Sequence, residues 1–510
     1  MLYVSLIFES LRARPRLMFW SAALAQALLW TLVPMLFYAT PPGDVPIVLA
    51  VGHEFQLGTD LGPPLAFWLA EIAYRFGGAF GVYLLAQACV LATLWGIFAL
   101  GRATVGISQA VLAVLLMVGI AAFSVPTPEF GPAILAMPIW TLILLHYWRA
   151  MGEGRSEYWI TLAIEIGVLL LTTTLALVLF ALLALFTAAT TRGRAAFRSV
   201  DPWICTAVAL LVALPYLVWL GNAEEVWKPS LARLRAIDPG DSTAEWLQIL
   251  GSLAVAHAGI IIFVLLASGW RMPRHERVAT VDRPPMHPLA RGMIYFFALA
   301  PLLAATLAIV LLGQPWSLAR AGPLVVCSGL AVIAAAGDTI TLYRQHLLSF
   351  TWITFLVGPP IAMALALILL PWTLAVDFRV LHPADEMGSF FAESFERRTG
   401  KPLEIIAGDP SVAALIALEA RSRPSLLIDA APKRSPWVSP ADAQAKGAVV
   451  VWPATDTAGT PPPAIKTSFP GLVIEVPRAF ERSIQGRLPL LRIGWAVVRP
   501  QVAPPPVQQP

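Results

Sequence analysis

Apolar residues run in long stretches broken by short polar segments from residue 18 to residue 372. A run of about 20 apolar residues crosses the roughly 30 Å hydrocarbon core as a helix, because lipid offers the backbone no hydrogen-bond partner. The pattern predicts eleven such helices, at 18–39, 79–100, 107–125, 132–147, 158–174, 175–190, 202–220, 246–270, 293–312, 323–342 and 347–372. The fifth and sixth are nearly continuous, split at Thr172, Thr173 and Thr174. The first run exceeds the about 7–15 apolar residues of a signal peptide, so it reads as an uncleaved anchor. Pro63-Pro64 followed by Leu65, Phe67, Trp68, Leu69, Ile72 and Phe76 predicts an amphipathic helix lying in the membrane interface.

From about residue 377 the pattern becomes that of a small α/β layer. Phe390, Phe391 and Phe395 among charges predict a helix over 384–398, ended by Thr399-Gly400. Strands are expected at 403–407, 425–428, 448–452, 472–476 and 491–498, with a helix at 412–420. The expected organisation is therefore an all-α polytopic membrane domain over 1–375, with a long first outer loop at 40–78. An extracytoplasmic α/β domain follows over 376–500, then a disordered Pro-rich tail over 501–510. No internal repeat of fixed period is present.

Composition agrees with this picture. Hydrophobic residues make up 58% and charged residues 13%, about half the roughly 25% usual for soluble domains. A soluble enzyme, a collagen and a disulfide-stapled mini-protein are excluded; the lipid bilayer is the first partner. Lys and Arg number 35 against 31 Asp and Glu, a net charge of +4, too small to point to nucleic acid. Placement of the charges says more than their sum. One set of loops holds Arg12, Arg14, Arg16, Arg102, Arg149, Arg155, Arg192, Arg194, Arg198, Arg271, Arg274, Arg277, Arg283, Arg291 and Arg344. The opposite set holds only Arg75, Lys228, Arg233, Arg235 and Arg320, with no Lys or Arg over 40–66. Tryptophans such as Trp148, Trp159, Trp203, Trp219, Trp270 and Trp372 stand near span ends. The N-terminus is therefore expected in the cytoplasm. An odd number of spans puts the C-terminal domain outside, in the periplasm of a Gram-negative cell. Cys89, Cys205 and Cys327 all lie in apolar runs, so no disulfide framework is expected.

The first outer loop holds the densest chemistry: Asp44, Glu54 and Asp60 beside His53. Such a group is either a solvated polar loop or a site at which one carboxylate takes a proton from an acceptor hydroxyl. Glu165 within the fifth span has two readings, a polar track or a side chain reaching Arg155 or water, the latter favoured. Asp338 near Arg344 reads in the same way, and His257 as a hydrogen bond between helices. No second histidine stands at helical spacing from His53, and no phosphate-loop or dinucleotide signature occurs. No resident cofactor is indicated, and a need for divalent metal is left open.

Several segments then carry a resemblance. Gly58-Thr59-Asp60-Leu61-Gly62-Pro63-Pro64-Leu65 resembles the segment leading into the interfacial helix of the GT-C membrane glycosyltransferases, in particular the family 39-like protein-mannosyltransferase and aminoarabinose-transferase relatives. Asp44 lies where their acidic motif begins. Glu129-Phe130-Gly131-Pro132 with Leu135-Ala136-Met137-Pro138-Ile139-Trp140 is similar to their second outer turn, and Arg320-Ala321-Gly322-Pro323 to an element after the ninth span. Arg398-Thr399-Gly400-Lys401-Pro402-Leu403, Ala407-Gly408-Asp409 and Ser435-Pro436-Trp437 look like the outer C-terminal domain of the bacterial branch. The chain also departs from the pattern. Val45 or Ile47 stands where a second acid is usual, Gly62 replaces a histidine, Gly131 and Ala133 replace Asn or Asp, and a Lys-Tyr pair is missing from 172–175.

The resemblance implies transfer of a sugar from a polyprenyl-phosphate donor to a lipid, glycan or protein acceptor at the outer face. Asp44 would be the general base. The departing lipid phosphate calls for a cation, for which Arg320 comes first and Lys228 second, since Arg offers phosphate a planar fork of donors. An outer-loop Arg also serves as an interfacial anchor, and that reading stays open. His53, Glu54, Asp60 and Glu129 would help bind donor or acceptor. The alternative is a degenerate relative that binds or moves lipid-linked glycans without turnover.

Overall fold

A computed structural model describes residues 13–268, 279–283, 285–454, 456–469 and 472–500. Arg12, Trp270, Arg271, Arg274, Arg277 and the tail 501–510 lie outside these described residues. The chain divides into two compact units: residues up to Val33 with Val82–Met363, and Pro34–Gly81 with Ala364 onward.

Each of the eleven apolar runs contains helix, in three forms. Six helices are long and apolar enough to cross a membrane: Pro15–Phe37, Leu65–Thr104, Pro132–Gly152, Asp201–Asn222, Pro288–Leu312 and Gln345–Thr373. Two runs are bent pairs, Pro239–Ala256 with Ala258–Ala267 and Leu318–Val325 with Ser328–Ala335, each turning by 46°. Three are shorter apolar helices, Ile107–Met117, Tyr158–Leu170 and Ala176–Ala189. Length and composition thus allow six crossings, or eight if each bent pair is one span.

Two runs end earlier than the sequence predicts. The helix expected over 107–125 stops at Met117, and a 3-10 turn at Ala121–Phe123 follows. The run over 323–342 leaves the helix before Gly337, which has φ +92°. Its last residues form strand β2 (Thr339–Leu342), antiparallel to β1 (Ala279–Asp282). Polar partners differ as well. Asp338 pairs with Arg283 at 3.0 Å, where the sequence offered Arg344. Glu165 pairs with His146 Nδ1 at 2.7 Å on the Pro132–Tyr147 helix. Arg155, its expected partner, is engaged by Glu157 at 2.9 Å. Spacing along the chain could not show bonds between separate helices.

His257 meets its expectation and adds to it. It stands at the break of the first bent pair, where Nδ1 donates to the Leu253 carbonyl at 2.7 Å. That leaves Nε2 to accept from Ser328 Oγ at 2.9 Å, at the start of the second half of the other pair. A break in an apolar helix frees backbone groups that lipid cannot satisfy. The two breaks are joined by a polar bond.

In the second unit the sheet has the order β4-β3-β5-β7-β6. β3 (Ile405–Gly408) runs parallel to β4 (Ser425–Ile428) and β5 (Ala448–Pro453). β7 (Leu491–Val498) is antiparallel to β5 and to β6 (Val473–Phe480). These strands match the sequence expectation, β6 being the longer by four residues at its end. Phe391 and Phe395 of the Ala384–Thr399 helix are fully buried and the β5 valines with them, so the apolar faces supply the core. Asp377, just past the last long helix, is held by His382 at 3.1 Å and by Nε and Nη2 of Arg482 at 2.8 and 2.9 Å. These bonds keep its carboxyl well below the usual carboxylate range.

Gly408 ends β3 with φ +121°, and a Cβ there would collide with the Val451 carbonyl oxygen. Gly400 closes a helix with φ +69° and has open space around it. Gly408→Ala is therefore expected to destabilise this unit by about 2–4 kcal/mol through backbone displacement and strain. Gly400→Ala should cost only about 1 kcal/mol. Thermal unfolding of both variants in detergent checks the order.

Candidate functional site

The first outer loop is built onto the second unit by its backbone. Ala39 and Thr40 both donate N–H to the Val380 carbonyl, at 2.8 and 3.1 Å, and Thr40 Oγ1 donates to the Arg379 carbonyl at 3.1 Å. A turn through Gly43 (φ +58°) then leads to the Val45–His53 helix. Asp44 occupies the N-cap position of that helix. Its carbonyl accepts from Val48 N at 2.9 Å, while its carboxylate makes no capping bond and is exposed. Val45, Val48, Leu49 and Val51 are buried where the helix packs on the Pro410–Glu419 helix and β4. Gly52 lets it approach the next helix, since a Cβ there would strike the Phe67 carbonyl.

That next helix, Leu65–Thr104, is broken by non-helical backbone at Gly77 and Gly78. Before the break, Phe76 is 90% exposed and Ile72 41%, an apolar outer side as an interfacial helix requires. Its inner side carries Glu71, only 2% exposed. The Glu71 carboxylate accepts from His53 Nδ1 at 3.1 Å, Arg75 Nε at 2.9 Å and Arg423 Nη2 at 2.8 Å. Arg423 also stacks over Tyr74 at 4.9 Å, and Arg75 over Phe55 at 5.0 Å. A buried carboxylate must be paired and hydrogen-bonded; here three donors from three segments do so. Sequence reasoning missed Glu71 and Arg423. The available signal was the spacing Phe67, Glu71, Arg75, which puts an acid on the buried face of an apolar helix.

The other loop acids are also engaged. Asp60 Oδ2 accepts from Arg434 Nε at 2.6 Å, while its Oδ1 is buried without a partner. Arg434 bonds Asp429 as well. Glu54 has one buried oxygen without a partner, and burial pushes its carboxyl up against the opposing bond from Ser425. His53 and Glu54 are thus neighbours at one end of the Val45–His53 helix and Asp44 stands at the other.

Glu129, Lys228 and Arg320 belong to the first unit. Glu129 precedes the Pro132–Tyr147 helix. Arg320 lies in the short Leu318–Ala321 helix, which packs on that helix and on the Ala121–Phe123 turn. A Cβ on Gly322 would come within 2.7 Å of Met137 Sδ, so the two resemblance segments meet closely. Lys228 pairs with Glu224 one turn away on an exposed helix. Among the described residues no group of three or more His, Cys, Asp or Glu side chains could hold a metal ion.

Two outcomes follow. Glu71→Gln is expected to lower stability by about 2–3 kcal/mol, less than the about 3–5 kcal/mol of a fully buried pair, since Arg75 and His53 are part-exposed; thermal unfolding measures it. Glu419, at the end of the Pro410–Glu419 helix, is pushed up to about 7 by burial and by the bond to Asp385. A carboxyl raised above its ordinary 4.5 stabilises the fold fully below that value and loses the contribution as pH rises through about 7. Melting temperature should therefore fall across that window, and Glu419→Gln should flatten the fall.

Residues 62–219 match the family model described as dolichyl-phosphate-mannose-protein mannosyltransferase. No curated protein matches the chain in sequence. Among solved structures, the chain is similar to ArnT from Cupriavidus metallidurans bound to undecaprenyl phosphate, at 13% identity and a TM-score of 0.54, covering 96% of this chain and 99% of that one. The apo crystal structure of the same protein aligns at 13% identity and a TM-score of 0.47, covering 94% and 97%. Residues 62–219 are thus similar to that mannosyltransferase family, and the chain as a whole shares the fold of ArnT.

Proposed function

We propose that the protein transfers a hexosyl or pentosyl group from a polyprenyl-phosphate donor to an acceptor at the periplasmic face of the bacterial inner membrane. In this reading the N-terminus is cytoplasmic and the C-terminal domain periplasmic. The observation that carries it is the exposed Asp44 carboxylate at the head of a helix packed into the second unit, in a chain whose fold follows ArnT from end to end. ArnT itself is crystallised with undecaprenyl phosphate.

The reaction is a direct displacement. The acceptor hydroxyl gives its proton to an Asp44 oxygen, and its oxygen bonds to the anomeric carbon. The bond from that carbon to the lipid phosphate breaks, the phosphate leaving with the electron pair, and configuration inverts. Arg320 stabilises the charge on the leaving phosphate, with Lys228 as second choice. His53, Glu54, Asp60 and Glu129 orient donor or acceptor.

One observation favours a second reading, a relative that binds or moves lipid-linked glycans without turnover. Val45, one of two positions where a second acid is usual, is 1% exposed and packed. Transfer of labelled sugar from polyprenyl-phosphate donors in membranes separates the two. Asp44→Asn should lower the rate by about 10²–10⁴-fold with donor binding kept. Equal rates in both proteins remove Asp44 as base, and donor binding without turnover in the wild type supports the second reading.

A further inference from the structure

The first unit encloses a cavity of about 550 Å³, within the roughly 300–1,000 Å³ range of ligand sites. Met18 at the start of the first helix, Phe263, Ala336, Leu348, Ser349 and Trp352 are among its walls. The indole N–H of Trp352 is already given to the Leu115 carbonyl at 3.0 Å, so that wall presents only its apolar surface.

Of the lining residues Ser268, Thr339, Thr341 and Ser349, only Ser349 is buried. It is 7% exposed, and its hydroxyl has no hydrogen-bond partner. A helical serine ordinarily closes onto a carbonyl one turn back. This one is left with an unused donor in an apolar cavity.

Two arginines neighbour the lining residues along the chain. Met18 N donates to the Arg14 carbonyl at 3.2 Å, and Leu348 N to the Arg344 carbonyl at 2.9 Å. Each arginine therefore lies four residues before a lining residue, just ahead of the helix that carries that residue. Arg344 holds that place with φ +52°, a backbone conformation uncommon outside glycine. The first and last long helices, which bring Met18 and Leu348, are both apolar enough to cross a membrane.

We propose that this cavity binds an anionic glycerophospholipid of the bilayer. One hydrocarbon chain fills the apolar space, a glycerol ester oxygen accepts from Ser349 Oγ, and the phosphate is drawn to the Arg14 and Arg344 guanidinium groups. A polyprenyl phosphate has no carboxylic ester along its chain and would leave Ser349 unpaired, so this ligand is distinct from the sugar donor. The site does not depend on the transfer reaction proposed above.

The test uses the full chain, stripped of lipid in detergent and given phosphatidylglycerol or phosphatidylcholine with the same acyl chains. Native mass spectrometry counts the lipid retained. Wild type should keep one phosphatidylglycerol per chain, on the order of tenfold in preference to phosphatidylcholine. Ala336→Trp, whose new ring grows into the cavity, should keep neither. Arg14→Gln with Arg344→Gln should keep both lipids equally, which tests the edge even if the tryptophan variant does not fold. Equal retention by Ala336→Trp and wild type overturns the site. So does a wild type without preference, or displacement of phosphatidylglycerol by an equimolar polyprenyl phosphate.

Discussion

Glu71 keeps its carboxylate almost entirely out of water, and the organisation of the outer loop depends on satisfying it. His53 reaches it from the end of the preceding helix, Arg75 from the next turn of its own helix, and Arg423 from beyond the Pro410–Glu419 helix. Charge-assisted bonds of this kind hold geometry better than apolar contact, because each donor has a required direction. The loop that carries Asp44 is thereby fixed at both ends, by Val380 before the helix and by the Glu71 bonds after it. A proton acceptor is useful only when it is held within hydrogen-bond reach of its substrate. The buried acid fixes the segment on which the exposed Asp44 stands.

The first unit meets the same requirement under a stricter solvent. Where helices break inside an apolar segment, polar groups must find one another. His257 and Ser328 join the two broken pairs, and Gly259 allows the backbone of one pair to touch that at Gly119. Glu165 and His146 form a comparable bond between neighbouring helices. The ionisable residues His257 and Glu165 are matched across helices, whereas hydroxyls such as those of Thr93 and Thr141 close onto carbonyls of their own helix.

This explains what the sequence could and could not disclose. Apolar runs and alternating Val and Ile depend on neighbours within a few residues, so the presence of each helix, though not every helix end, was readable, and the β4 and β7 boundaries were readable to the residue. The partners of Asp338, Glu165 and Glu71 lie 55, 19 and up to 352 positions away. No local pattern encodes such pairings. Ser435-Pro436-Trp437 illustrates the same limit. It was recognisable as a motif, yet its task is structural: Ser435 Oγ accepts from Ile428 N at 2.9 Å, and Trp437 donates to the Leu426 carbonyl at 2.9 Å, clamping β4.

Environment also sorts the four acids of the loop and its helix without recourse to relatives. Glu71 has spent its lone pairs on three donors. Asp60 is held by Arg434, with its second oxygen buried. Glu54 is partly buried, one of its oxygens lacks a partner, and burial pushes its carboxyl up. Asp44 alone is exposed, and the helix it begins is anchored along its whole buried face. A general base must be both ionised and reachable, and of these four side chains Asp44 best combines access with a fixed support. That separation, three acids held at least partly buried in the scaffold and one left open, is the physical argument behind the proposal of Asp44 as base.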